Sequence, residues 1–303
     1  MRIVRRLLLL SMIGTNLLSG MAGLIIFSKD RPLQLQALLE SIELYVTGLS
    51  EVAVLCAASA PRFHHAYEQL SQKFPHVRWV YQDPEKQRSD FNALLQNIFN
   101  HMRSSYLMFA VDDMIIINTI DLTQCVNMLQ KTHAYGCYLR LGRNTNYCYA
   151  NSAPMRVPQL QHVAGEFYSW QLRTGDKCWG YPHTVDMTLY SRTTVEEAIR
   201  MFGHSSPNLF EAHWSSKSVP PHAQALCYAT SRVINIPLNL VQKDFTHNHC
   251  AHRYGVEDLL NLFVQGWRIN VEALHKISNN SPHFDIDPPL TKTILQPKVV
   301  PVC

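Results

Sequence analysis

Residues 106–114 read YLMFAVDDM: six apolar or aromatic residues in a row, then two aspartates. An unbroken apolar run without alternation is what a strand covered on both faces requires, and the acids mark where it opens to solvent. Three comparable runs lie upstream, separated by helical patterns. LIIFS (24–28) precedes a helix with Pro32 in its first turn, Asp30 as its expected cap, and Leu35, Leu38, Leu39, Ile42 and Val46 at helical spacing. EVAVLCA (51–57) leads into a helix opened by Pro61 and lined by Phe63, Tyr67, Leu70 and Phe74. VRWVY (77–81) leads to a third helix carrying Phe91, Leu94, Leu95, Ile98 and Met102. Three β-α units feeding a fourth strand predict an α/β fold with a doubly wound, Rossmann-like sheet. Ligands of such sheets sit beyond the carboxyl ends of the strands. That directs attention to residues 28–31, 57–59, 82–90 and 112–114.

Past residue 120 the rhythm changes. Asp121 can cap a helix with Leu122, Cys125, Val126 and Leu129, and a strand is expected at 135–141. Residues 142–190 are rich in aromatic residues and short β-like runs (NYCYA, EFYSWQL, MTLYS). A helix with Val195, Ala198, Ile199 and Phe202, the segment PNLFEAHW, strands near 225–236 and a helix at 256–265 closed by Gly266 complete the pattern. The expected organisation is a leader at 1–20, a single domain over 21–270 with a C-terminal helical extension, and an irregular tail at 271–303, loosely packed from 281 on.

Composition sets the outer limits. With 47% hydrophobic and 17% charged residues among 303, the chain is neither disordered nor fibrous. Net charge is +4, of which Arg2, Arg5 and Arg6 supply three, leaving +1 from residue 21 onward and no broad field for nucleic acid. Eight cysteines without a CxxC pair read as buried thiols. The basic, then apolar, start has the layout of a signal or anchor, although Met21 can itself be an initiator, which would make 1–20 a wrong start. The expected location is cytoplasmic, with peripheral membrane contact through this apolar segment as the alternative.

Asp112 and Asp113 repel each other, and burial without compensation is costly. A divalent cation resolves this, because Mg²⁺ or Mn²⁺ takes one or two carboxylates and completes its shell with substrate phosphates. The bland alternative is a pair of loop-capping aspartates.

SKDRP after the first strand, DFNALL in the third helix and VDD after the fourth strand resemble the nucleotide-sugar glycosyltransferases of the A-type fold, family-2-like bacterial enzymes in particular. The similarity continues in YPHTVDMTLYSR, PNLFE, NIPLNLVQ and GWRI. VDD stands where such enzymes carry Asp-any-Asp, with Val111 in the first acidic slot. The resemblance implies a nucleoside diphosphate sugar donor, a glycan, lipid or other hydroxyl acceptor, and a divalent metal, manganese or magnesium. It places Asp113 on the metal and Asp112 towards metal or ribose. Lys29 and Arg31 would add positive charge near the phosphates, while Ser28, Asp30, Ser59, Arg88 and Asp90 would border the nucleotide. Glu211 in PNLFE is the candidate base, with Asp186 second, and His247 or His249 would complete the metal shell. Trp170, Trp179, Tyr181 and Trp214 are candidates to stack on sugar rings, core packing being the other reading. Competing functions are a non-catalytic carbohydrate-binding or scaffold protein on a degenerate transferase fold, and a zinc hydrolase built on HNHCAH. A sugar-nucleotide pyrophosphorylase would need a Gly-rich loop that SKDRP lacks.

Overall fold

The computed structural model describes residues 22–86, 88–200, 203–245 and 253–292. The four apolar runs are strands β1 (Ala22–Lys29), β2 (Leu49–Ala57), β3 (Arg78–Tyr81) and β4 (Tyr106–Val111), all parallel, in the order β4-β1-β2-β3. Between them run α1 (Pro32–Tyr45), α2 (Pro61–Lys73) and α3 (Phe91–His101). The sheet continues from β4 through β5 (Gly136–Tyr138), β6 (Gln161–Ala164), β7 (Phe167–Gln171), β8 (Thr188–Ser191) and β9 (Gln224–Tyr228). Its full order is β6-β7-β9-β5-β8-β4-β1-β2-β3, and β8 runs antiparallel to both β4 and β5, so the nine-stranded sheet is mixed.

Alternation along β1 shows why both sheet faces need helices. Leu24 and Ile26 pack under α1 and α2, with α4 (Leu122–Thr132) and α7 (Val256–Val264) on the same face. Ile25 and Phe27 point the other way, into the layer of α3, α5 (Arg192–Arg200) and α6 (Pro207–Ser215). The chain leaves β1 in one direction to β2 and β3, then returns to place β4 on the other side of β1. A crevice opens where the strand order reverses, beyond the ends of β1 and β4.

Three expectations change. Asp30 does not cap α1; it adopts φ +53° and its carboxylate accepts the Ser59 N–H at 2.7 Å. The described part of the tail, 271–292, is irregular in backbone but not loose. Val271 and Leu274 are buried in the main core, and Leu290–Lys292 pairs with Trp267–Ile269. The placement by a membrane-associating N-terminal apolar segment is also corrected. Among the described residues no helix is long and apolar enough to cross a membrane, and the leader at 1–20 lies outside them.

Candidate active site

The ends of β1 and β4 meet through the first aspartate. Asp112 is 3% exposed, and both its oxygens are occupied. Oδ2 accepts from Ser28 Oγ at 2.8 Å and the Lys29 N–H at 3.0 Å, while Oδ1 accepts from Arg31 Nη1 at 3.0 Å. The same guanidinium nitrogen lies 3.3 Å from Asp113 Oδ2. Repulsion between the adjacent acids is therefore relieved by Arg31, where the sequence suggested a cation alone. Burial pushes the Asp112 carboxyl up to about 6, against the opposing pull of Arg31.

Arg31 reaches this position because Asp30 takes the left-handed conformation, which an aspartate tolerates better than most side chains. Its guanidinium is held on the far side by Asn239, through Oδ1 at 2.8 Å and the backbone carbonyl. Arg31 thus compensates the acids while lining the cleft. Lys29 lines the cleft and makes no side-chain ion pair among the described residues.

Asp113 Oδ1 accepts from Asn235 Nδ2 at 3.0 Å, and Asn235 Oδ1 accepts from Arg140 Nη1 at 2.9 Å. Arg140 Nη2 in turn lies 2.6 Å from Asp186 Oδ2. A continuous polar chain, Arg31–Asp113–Asn235–Arg140–Asp186, runs along one wall of the cleft and ends beside Glu211. Glu211 sits on α6, whose first turn is capped by Ser206 Oγ accepting the Leu209 N–H at 3.2 Å. Its Oε1 accepts the Val185 N–H at 3.0 Å. Burial first, and the nearby Asp186 charge second, push the Glu211 carboxyl up to about 7.

These groups face a cleft of about 390 Å³ lined by Ser28, Lys29, Arg31, Arg88, Asp112, Asp113, Asp186 and Glu211. Asp30, Ser59 and Asp90 stand outside the lining. Asp30 and Ser59 bond to each other, and Asp90 holds the turn after β3 by accepting from Gln82 Nε2 and the Asp83 N–H. Arg88 is in the left-handed region at φ +76° and forms a 2.7 Å ion pair with Asp244, which also accepts from Ser206 Oγ. His247 and His249 lie outside the described residues.

Sequence reasoning missed Asn235, Asn239, Arg140 and His283. The first two stand inside NIPLNLVQ, but an uncharged amide gives no compositional signal. His283 comes from the segment read as a loose tail, yet it lines the cleft; burial and the nearby Arg140 depress its imidazole pKa. Of the aromatic candidates, Trp170, Trp179 and Trp214 are buried in the core, and only Tyr181 is exposed, at 38%.

Among the described residues no group of three or more His, Cys, Asp or Glu is placed to hold a metal ion. The donors that do face the cleft suit a lightly held cation. Asp113 offers hard carboxylate oxygens and His283 a neutral imidazole, and a diphosphate with water would supply the remaining ligands of Mg²⁺ or Mn²⁺.

Fold and cleft together define a mixed α/β protein whose polar cleft lies beyond the ends of its central parallel strands. No family model matches the chain. It is similar to the bifunctional glycosyltransferase pgtA of Dictyostelium discoideum, with 22% identity over 281 residues, 82% of this chain and 36% of that protein. The chain thus spans about a third of the length of the curated relative it matches. Among solved structures, S. aureus TarS 1–349 in complex with UDP aligns at TM-score 0.46 and 9% identity, over 70% of this chain and 59% of that one. The mannosyltransferase PcManGT from Pyrobaculum calidifontis, in complex with GDP-Man and Mn²⁺, aligns at TM-score 0.40 and 14% identity, over 69% and 56%. GalNAc-T7 with UDP, GalNAc and Mn²⁺ aligns at TM-score 0.46 and 10% identity, over 72% and 44%.

Proposed function

We propose that this chain transfers a sugar from a nucleoside diphosphate sugar to an acceptor hydroxyl, with a divalent cation at Asp113 and Glu211 as the general base. The observation that carries this reading is the polar chain that joins the strand-end acids to the Asp186–Glu211 pair across one cleft. Donor chemistry needs positive charge near the departing diphosphate, and Lys29 supplies it at the end of β1. The cation, held by Asp113 with His283 beside it, supplies Lewis-acid neutralisation of the diphosphate when bound.

On the other side, Arg140 keeps Asp186 paired, and that anion helps keep Glu211 poised near neutrality. Burial, with Asp186 beside it, leaves the Glu211 carboxyl able to exchange a proton near neutrality. A base must reach the acceptor hydroxyl directly or through one water. Glu211 and Asp186 also line a second cavity of about 380 Å³, which continues from the cleft and is wide enough for an acceptor group.

The test is a panel of UDP and GDP sugars with and without Mn²⁺ or Mg²⁺, read by melting temperature and by product formation. Metal-dependent stabilisation by a nucleotide, lost in Asp113→Asn, supports the reading, since a ligand that binds the native state raises its melting temperature. Stabilisation without transfer to any hydroxyl acceptor, and without slow donor hydrolysis, would favour a binding protein on the same fold.

A further inference from the structure

The second cavity has a feature that the transferase reading does not use: two thiols in its wall. Cys148 ends the short strand Tyr147–Cys148, Cys178 lies in the turn Lys177–Gly180, and their sulfurs are 3.9 Å apart. The two segments are held face to face without help from the sulfurs. Lys177 Nζ donates to the Pro154 carbonyl, and the Arg156 N–H donates to Asp176 Oδ2 at 3.1 Å. The turn is packed tightly, since a Cβ on Gly175 would lie 2.2 Å from the Trp179 carbonyl. To form the bond the sulfurs must close from 3.9 Å to the S–S bond length of about 2.05 Å.

We propose that Cys148 and Cys178 are an oxidation site, a dithiol that hydrogen peroxide converts into an intramolecular disulfide in the cavity wall. Cys148 as its thiolate attacks one peroxide oxygen, the O–O bond breaks, and hydroxide leaves, giving the sulfenic acid. Cys178 then attacks the Cys148 sulfur, loses its proton, and expels the sulfenic oxygen as water. Two thiols and one peroxide thus become one disulfide and two waters.

The thiolate is favoured at the right sulfur. The hydrogen bond from Cys178 is the main cause that lowers Cys148 to about 6, assisted by the backbone around Asn151 and by Lys177. Cys148 and Cys178 both line the 380 Å³ cavity, so a molecule as small as peroxide has access. Cys148 is itself buried, at 3% exposure, but unlike Cys56, Cys125, Cys137 and Cys227 it borders that cavity. Ala150, two residues beyond Cys148, lines both cavities, so the bond would fix the wall that they share. That consequence rests on the transferase reading; the bond itself does not.

The experiment treats the full chain with hydrogen peroxide, alkylates the remaining thiols and maps peptides by mass spectrometry, with and without dithiothreitol. The expected result is a reducible peptide linking Cys148 to Cys178, with Cys56, Cys125, Cys137 and Cys227 still alkylated after unfolding. Cys178→Ser should abolish the link and leave Cys148 as a sulfenic acid that dimedone traps. The proposal is overturned if Cys148 proceeds to sulfinic acid while Cys178 stays free, or if the linked pair involves another cysteine. Nucleotide-dependent melting is followed in the same samples. Its absence would sink the transferase reading and leave the thiol proposal to be decided by the peptides alone.

Discussion

Replacing Glu211 with glutamine separates the two roles of its carboxyl. Folding raises this acid from 4.5 to about 7, so the native state holds the proton more tightly than the unfolded chain does. The stability this lends is complete below pH 4.5 and is lost as pH rises through about 7. Glutamine keeps the shape and the acceptor oxygen for the Val185 N–H but has nothing to ionise. The wild type should therefore lose stability relative to the variant by about 1.4 kcal/mol per pH unit across that window, reaching about 3 kcal/mol near pH 8. Urea unfolding of both proteins at about pH 5 and about pH 8.5 measures the difference. Over the same range the wild-type kcat/KM should rise with a midpoint near 7, as the base is freed. The variant should lose roughly 10²–10⁴ in kcat while gaining stability at alkaline pH. An unfolding difference that is the same at both pH values would refute the reasoning, because Glu211 would then not be the group that folding perturbs.

The polar chain gives further expectations. Arg31→Met leaves Asp112 and Asp113 uncompensated and should cost about 3–5 kcal/mol in urea unfolding, with partial recovery at acid pH where Asp112 takes up a proton. Asn235→Ala removes hydrogen bonds to one anion and one cation. It should destabilise by roughly 2–4 kcal/mol, and a double-mutant cycle with Arg140→Met should be non-additive. Trp179→Ala should cost about 3–5 kcal/mol, as the loss of a core aromatic does, whereas Tyr181→Ala should leave stability within about 0.5 kcal/mol. If Tyr181 meets the acceptor, steady-state kinetics should show a raised acceptor KM with the donor KM unchanged.

The first half of the fold was legible because parallel strands buried on both faces write themselves as apolar runs. LIIFS, EVAVLCA and YLMFAV lie on central strands and VRWVY on the half-buried edge strand β3, and the first two helices between them start where Pro32 and Pro61 place them. Beyond residue 120 that signal fails, since β5 is three residues long and β8 four. Segments so short carry no period, and their places in the sheet are set by neighbours distant in sequence. The tail misled for a related reason. Its prolines deny it regular structure, but Phe284, Ile286 and Leu290 still pack against the main core, and Leu290 pairs with the strand at 267–269.

The site was half legible, and the missing half follows one physical rule. Charged residues at strand ends announce themselves, because burial of a charge demands a reason; Asp112 and Asp113 could be singled out from the sequence on that ground, whereas Glu211 and Asp186 are named through the family resemblance. What compensates a charge leaves no local trace. Arg31 was visible beside the first strand, but its direction depends on the backbone of Asp30 and on Asn239, 208 residues away. Asn235 is more extreme, since its amide joins Asp113 to Arg140 by donating to an anion at 3.0 Å and accepting from a cation at 2.9 Å. An amide is the neutral side chain that presents both a donor and an acceptor in one plane, so it can relay between opposite charges without adding to either. Aspartate there would strengthen the Arg140 side and repel Asp113, and leucine would strand both. Asn235→Asp should consequently weaken metal-dependent nucleotide stabilisation less than Asn235→Leu does if the cation absorbs the added charge. If no cation binds there, it should weaken the fold itself.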